Sequence, residues 1–289
     1  MKVLLSGAGS FIGTNFLQKP GNFEVSEVCL LQNRVEDIDF RKYDVVLHVA
    51  AIVHQIKSIP ESEYFRVNSD LAYQVAQKAK HSGVKQFIFM STIKVYGVEE
   101  TNGLILNEDS LCKPNDSYSA SKFDAENRLQ SLQDDKFIIS IMRTPLVFGP
   151  RVKGNMYSLV KLVEHFKILP FGGINNERSL TNVDNLIDII KTIIITQKPG
   201  LFLAGDPEPV STTKLIRLIA GALNKKIYLF TLPGVFQKLM NRFLPQYYKR
   251  LFRSLVFNNS KTRKTLNYVP QYSTEDGIKK MVDWYKLNQ

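Results

Sequence analysis

Tyr118 and Lys122 lie four residues apart in the run "KPNDSYSASKFDAENRLQ". One helical turn separates them, so both side chains leave one face of a helix. A lysine ammonium held near a phenol favours the phenolate, lowers the tyrosine pKa and makes a proton shuttle usable at neutral pH. The same spacing also suits two solvated residues of a polar helix, so the pair needs support from the rest of the chain. A second stretch with chemistry in it is "SGAGSFIG", which carries Gly7, Gly9 and Gly13. Small residues there let the backbone approach a pyrophosphate, and a helix N-terminus offers N–H groups and a positive dipole end. The competing reading is a plain tight turn.

The glycine turn needs a strand before it and a helix after it. Val3 to Leu5 reads as a short buried strand, and a helix begins at about Phe11 and stops at Pro20-Gly21. "FEVSEVCLL", "YDVVLHVAAIV", "VKQFIFMST" and "KFIISIMRTPLVFG" read as further strands, several of them continuous apolar runs that suit a parallel sheet buried on both faces. Between them "SEYFRVNSDLAYQVAQKAKHSG" and "SYSASKFDAENRLQSLQ" read as helices. This alternation predicts an α/β fold: a doubly wound parallel sheet of Rossmann type with a smaller C-terminal lobe. The expected division gives residues 1–150 plus 176–200 to dinucleotide binding and residues 151–175 plus 201–289 to a substrate lobe. In the second half, "NMYSLVKLVEHF", a helix from about Val183, the strand "GLFLAGD", a helix capped by Ser211 or Thr212 and a final helix in "STEDGIKKMVDWYK" are expected. After the second strand a dinucleotide enzyme often places a carboxylate for the ribose diol. Here Gln32, Asn33 and Arg34 follow "EVCLL", and an arginine there can meet a 2′-phosphate, which tilts the cofactor reading from NAD toward NADP(H).

The totals limit the alternatives. The chain has 289 residues, 44% hydrophobic and 22% charged, as an ordinary globular protein does. No apolar run has the length of a bilayer span, and "MKVLLSGAGS" lacks the shape of a signal peptide, so a cytoplasmic location is the expectation. Two cysteines, Cys29 and Cys112, make neither a disulfide framework nor a metal site, and no metal is expected. The net charge of +11 admits nucleic acid, an anionic membrane or an anionic small substrate as partner.

Taken in order, "SGAGSFIG", "DVVLHVAA", "MSTIKVYG", "YSASK" and "RTPLVFGP" resemble the extended short-chain dehydrogenase/reductase family, and more narrowly its nucleotide-sugar epimerases, dehydratases and 4-keto reductases. The resemblance runs nearly end to end. In its first motif Ser6 and Ser10 replace the usual Thr and middle Gly, with Gly9 as an extra glycine. The resemblance implies that Tyr118 is the acid/base, that Lys122 is its partner and holds the nicotinamide ribose, and that Thr92 hydrogen-bonds the reacting sugar oxygen. It implies cofactor contacts from Gly7, Gly9, Ser10, Phe11, Ile12, Gly13, Arg34, Asp37, Ile38, Ala50, Ala51, Asn68, Lys122 and Pro145. Substrate contacts are implied for Thr92, Lys94, Tyr118, Lys153, Asn155 and Arg178. Arg178 matches an arginine that clamps the substrate diphosphate, work for which a guanidinium fork is suited. Leu146 stands where many relatives carry an Asn for that diphosphate, so Lys153 and Asn155 are expected to take over its grip. A homodimer through the long site helices is expected from the resemblance alone.

The 4,6-dehydratases of the family follow the catalytic Thr with Asp-Glu, which carry out the elimination. Here Ile93 and Lys94 follow Thr92, so a dehydratase is rejected. A 4-keto reductase and a 4-epimerase remain, both needing only Tyr, Lys, Thr and the nicotinamide. The expectation leans to reduction of a 4-keto (6-deoxy) N-acetylhexosamine on a nucleotide carrier in surface-polysaccharide synthesis, with a UDP-hexose or UDP-N-acetylhexosamine 4-epimerase next. A UDP-sugar is the first carrier and a polyprenyl-diphosphate sugar the second.

Gly234 to Phe257 interleaves Lys238, Arg242, Lys249, Arg250 and Arg253 with Phe, Leu and Tyr. Such a segment can lie on an anionic membrane. The preferred reading is a helix pair of the substrate lobe, with its apolar side in the core and its cations toward the diphosphate. A relative that has lost catalysis and binds RNA or acts as a scaffold is the remote alternative, opposed by the joint presence of Tyr118, Lys122 and Thr92.

Overall fold

A computed structural model describes residues 1–53, 59–97, 101 and 103–289. In chain order the elements are β1 (Lys2–Ser6), α1 (Phe11–Gln18), β2 (Glu24–Val28), β3 (Val45–His48), α2 (Glu61–Phe65), α3 (Leu71–His81), β4 (Gln86–Thr92), α4 (Ser117–Gln130), β5 (Ile138–Thr144) and β6 (Leu146–Phe148). They continue as α5 (Asn155–His165), β7 (Ile168–Leu169), β8 (Leu180–Asn182), α6 (Val183–Thr196), β9 (Gly200–Leu203), α7 (Thr212–Ala222), β10 (Tyr228–Leu229), α8 (Gly234–Phe243), α9 (Pro245–Phe252), α10 (Ser260–Leu266) and α11 (Thr274–Leu287).

Six strands form one sheet in the order β2-β1-β3-β4-β5-β9, every pair parallel. Alternate residues of each strand enter opposite cores, as the two-residue period of a strand requires. Val3, Leu5, Val45, Leu47, Ile88 and Met90 meet Ile187, Ile190 and Ile194 of α6 on one face. Leu4, Val46, Phe87 and Phe89 meet Ala72, Val75, Ala76 and Ala79 of α3 and Ala125 and Leu129 of α4 on the other. Each large side chain buried in this way stabilises the fold by about 1.5–3 kcal/mol. Winding reverses between β1 and β3, which opens a crevice at the carboxyl ends of those strands. The β2–β3 crossover contains no α-helix. Two single 3₁₀ turns, Val35–Asp37 and Phe40–Lys42, drop Val35 and Phe40 into the second core instead.

Three expected elements come out differently. The long helix after β3 is split into α2 and α3 by a π turn, Arg66–Asp70, that buries Asn68. The expected single strand from Lys136 to Gly149 is two strands in two sheets, because Pro145 has no N–H for a ladder and β6 turns away to pair with β8. β9 pairs with β5 in the main sheet, although residues from 201 onward were expected in the lobe. Its apolar run is buried there with Phe202 in the first core.

The lobe closes around Phe148, Met156, Val160, Ile216, Ile219, Ile278 and Met281, from β6, α5, α7 and α11. α8 and α9 bury no residue, so the expectation of a helix pair with its apolar side in the core does not hold.

Candidate active site

The site is built where β4 ends. Beyond Thr92 a 3₁₀ turn, Ile93–Tyr96, reaches Gly97, whose φ of 73° suits glycine and where a Cβ would stand 1.5 Å from the Lys113 carbonyl oxygen. This close approach brings the chain back to start α4 beside the strand it has left. Asp116 caps α4 through a capping box: Oδ1 accepts the Ser119 N–H at 2.6 Å, and the Ser119 hydroxyl accepts the Asp116 N–H at 3.2 Å.

α4 then runs back along β4, and its stripe of residues 118, 122 and 126 is tied to the strand end. Tyr118 is hydrogen-bonded to the Thr92 hydroxyl. Thr92 Oγ1 also accepts the Lys94 N–H at 3.2 Å. Lys122 Nζ donates to the Met90 carbonyl at 2.9 Å and lies 4.4 Å from the centre of the Phe89 ring. Glu126 accepts from the Ser91 hydroxyl and, at 2.6 Å, from Arg143 Nη2. Tyr118, Lys122 and Thr92 therefore converge at the end of one strand, and the helix bond ladder sets their order.

The electrostatics differ from the sequence expectation. Burial pushes the half-enclosed Tyr118 phenol up to about 12, against the pull of the Thr92 hydroxyl and with a further push from Asp116. The expected lowering by the lysine does not hold, because Lys122 Nζ is turned to Met90 and not to the phenol. Burial brings Lys122 itself down to about 7, with Glu126 pulling the other way. Burial also raises Asp116, but the Ser119 N–H and the Lys94 ammonium, 3.0 Å away, outweigh it and hold the carboxyl at about 2. Lys94 Nζ also stands 5.8 Å over the Tyr118 ring. His48, fully buried at the end of β3, bonds Ser6 at 2.7 Å, and desolvation followed by the Lys122 charge lowers it to about 3, so its ring stays neutral.

The glycine turn faces the same edge. Gly7 has φ of 118°, and a Cβ there would lie 2.6 Å from the Ala50 nitrogen, so only glycine lets β1 and β3 close over the turn. A Cβ on Gly13 would press on Ser10 Oγ and a Leu5 methyl, at 2.7 and 2.8 Å, so a side chain there would have to displace the α1 cap and a core leucine. Gly9, at φ of 72°, faces open space. Ser10 caps α1, accepting the Gly13 N–H at 3.2 Å, while Phe11 and Ile12 are half-buried against the first core. The result is a ledge of backbone at a helix N-terminus, without side chains on it at Gly7 and Gly9. It fits a dinucleotide pyrophosphate.

The remaining expected residues are placed as follows. Ala50 and Ala51 follow β3, half-buried, with the Ala50 N–H on the Ser6 carbonyl at 2.9 Å. Asn68 is fully buried, and its amide holds Ile52 N–H at 2.8 Å, the Ile52 carbonyl at 3.0 Å and Ser121 at 3.1 Å, which positions the β3 exit against α4. Arg34 and Asp37 are exposed and paired with each other at 3.0 and 3.1 Å, while Ile38 packs on the second core. Pro145 is buried at the break between β5 and β6. Lys153 and Asn155 are exposed at the start of α5. Arg178 donates to the Arg253 carbonyl at 3.0 Å, beside α9. Sequence reasoning missed Asp116, Glu126 and Arg143. The Asp-x-x-Ser spacing before α4 signals the first; Glu126 stands one turn beyond Lys122, but nothing in the sequence pairs it with Arg143.

A parallel sheet with a glycine ledge at its switch point, and a Thr–Tyr–Lys set at the end of the next strand, define a nicotinamide-dependent short-chain dehydrogenase/reductase of the extended class. A family model for the NAD dependent epimerase/dehydratase family matches residues 10–205, and the chain belongs to that family. It is similar to a UDP-glucose 4-epimerase of Vibrio cholerae, 33% identical with 96% of this chain and 93% of that one covered. It is also similar to the N-acetyl-alpha-D-glucosaminyl-diphospho-ditrans,octacis-undecaprenol 4-epimerase of Escherichia coli O157:H7, 27% identical over 80% of this chain and 75% of that one. The crystal structure of a UDP-glucuronic acid 4-epimerase from Bacillus cereus in complex with NAD shares the fold, with a TM-score of 0.77, 21% identity and 100% and 99% of the two chains covered.

Proposed function

We propose that the protein is a 4-epimerase of a hexose carried on a diphosphate. The reading is carried by Tyr118 bonded to the Thr92 hydroxyl, with Lys122 held one helical turn away on the Met90 carbonyl and with Lys94, and not a carboxylate, standing over the tyrosine ring. A lysine paired to Asp116 offers no acid/base pair for eliminating water, which leaves oxidation and reduction at C4. The names of the two relatives, both 4-epimerases, support the same choice.

Tyr118 stands protonated at neutral pH, set to give its proton to the C4 oxygen as a ketone is reduced and to take one back as the hydroxyl is oxidised. The Thr92 hydroxyl holds that oxygen beside the phenol. Lys122, with its pKa near neutrality, adds positive charge when the phenolate forms. Gly7, Gly9 and the α1 N-terminus would hold the pyrophosphate of a dinucleotide, whose nicotinamide would supply reversible hydride exchange with C4. Epimerisation asks in addition that the keto sugar turn over between two passes. Lys153 and Arg178 are assigned to the diphosphate by their charge, and Asn155 by its amide donor and its place at the start of α5. UDP is the first carrier. A polyprenyl diphosphate is the second, supported by the undecaprenol-linked substrate in the name of one relative. The enzyme is read as cytoplasmic and dimeric.

The second reading, a 4-keto reductase, is favoured by one observation: the loop after β2, residues 29–34, carries no carboxylate and ends in Arg34, a guanidinium that could meet a 2′-phosphate although Asp37 pairs with it in this structure. Two incubations separate them. Cofactor-neutral interconversion of UDP-glucose or UDP-N-acetylglucosamine with its C4 epimer in the presence of NAD is the expected result. Stoichiometric loss of NADPH absorbance with UDP-4-keto-6-deoxy-N-acetylglucosamine, and no epimerisation, would replace the first reading with the second.

A further inference from the structure

Residues 209–274 contain twelve Lys and Arg and not one Asp or Glu, so the rest of the chain, with 26 cations and 27 acids, is close to neutral. The whole positive excess belongs to this part of the lobe, and within it the helices α8 and α9 bury no residue. α8 is amphipathic. Val235, Phe236, Leu239 and Phe243 fall within an arc of about 100° on the helix. They are exposed by 75%, 58%, 53% and 68%, and Leu244 and Tyr247 continue the stripe into α9. Lys238 and Arg242 flank the stripe on α8, and Arg250 is exposed on α9. A set of large apolar groups this open is costly in water, and a chain that uses it must cover it.

We propose that the α8–α9 hairpin is a docking surface for an anionic phospholipid bilayer, lying in the headgroup plane with the α8 stripe toward the acyl chains. Charge decides the occupant. The stripe belongs to a stretch of sequence without a carboxylate, and the long cationic side chains beside it can reach lipid phosphates while their stems lie on the apolar surface. A second copy meeting this face through a twofold axis would bring the same cations against each other. Nucleic acid would satisfy the cations and aromatic rings but leave Val235, Leu239 and Leu244 in water. Among the described residues no helix is long and apolar enough to cross a membrane, so the contact is interfacial. The proposal does not depend on which sugar the active site turns over.

The test is co-sedimentation of the full chain with phosphatidylcholine vesicles and with vesicles containing about 30 mol % phosphatidylglycerol. Binding to the anionic vesicles alone, weakened by added salt, is expected. Lys238→Glu, Arg242→Glu and Arg250→Glu together should lower partition by at least about a hundredfold. Phe236→Asp with Leu239→Asp, which keeps every cation, should lower it by at least about tenfold. Phe236→Trp should move the emission to shorter wavelength with anionic vesicles and not with neutral ones. All these positions are exposed, and a thermal melt checks that each variant folds. No partition of the folded parent into anionic vesicles overturns the proposal. So does binding that ignores the Phe236 and Leu239 changes, or that poly(U) displaces, since either marks an ionic partner. A stable dimer broken by Phe236→Asp and Leu239→Asp overturns it in favour of self-association.

Discussion

Glu126 and Arg143 form a bidentate pair, Oε2 to Nη2 at 2.6 Å and Oε1 to Nε at 3.1 Å, in the wall behind Tyr118 and Lys122. Both are almost wholly buried, and Arg143 also lies 4.8 Å from the Tyr96 ring. Removing one member strands a charge away from water. Glu126→Leu is therefore expected to destabilise the protein by about 3–5 kcal/mol in urea unfolding. Glu126→Leu with Arg143→Met should recover much of that loss, because no charge is then left unpaired. A double variant no more stable than the single one would falsify the ion-pair account.

Tyr118→Phe removes the proton carrier and keeps the ring. Turnover should fall by about 10²–10⁴-fold, with dinucleotide affinity unchanged in a fluorescence titration. Wild-type turnover in that variant sinks the mechanism.

Lys122 gives stability a pH dependence. Its folded pKa, about 7, lies below the ordinary 10.5, so between those values the folded chain binds fewer protons than the unfolded one. Stability then rises with pH across that window, by at most about 1.4 kcal/mol per pH unit. Below pH 7 the burial of the charge weighs on the fold in full. Urea midpoints between pH 6 and 9 should climb for the parent and stay flatter for Lys122→Met. A parent curve as flat as the variant's contradicts the assignment.

Gly7 and Gly9 separate crowding from conformation. Both have positive φ, but only Gly7 is hemmed in by Ala50. Gly7→Ala should lower the melting temperature markedly and abolish dinucleotide binding. Gly9→Ala should cost only about 1–2 kcal/mol in stability, the usual cost of that backbone region for a residue with a Cβ. Equal losses in calorimetry would mean that the close approach of β1 and β3 plays no part.

Asp116 both caps α4 and holds Lys94. Asp116→Ala should cost about 1 kcal/mol or somewhat more, while Asp116→Asn, which can still cap, should lose much less. If Asn is as damaging as Ala in thermal unfolding, the ion pair with Lys94 and not the cap is what matters.

The strands, the glycine turn and the Tyr118–Lys122 helix were legible because each rests on a local rule. A buried parallel strand needs a continuous apolar run, a close backbone approach needs glycine, and two residues a helical turn apart share a face. The π turn at Arg66–Asp70 has no such signature, since it is stabilised by what Asn68 does for Ile52 and Ser121 across the fold. The break at Pro145 was visible as a residue but not as a change of sheet, because β8 lies far along the chain.

By itself, the amino-acid sequence determined the alternation of strand and helix, the residue types at the chemical positions and the acid-free stretch from 209 to 274. The tertiary structure alone decided that Lys122 turns to Met90, that burial raises Tyr118 where the sequence pointed to a lowering, that Arg143 neutralises Glu126, and that α8 keeps its apolar stripe outside. The physical reason is common to all four. Desolvation and pairing depend on which distant groups surround a side chain, and only the folded chain sets those distances.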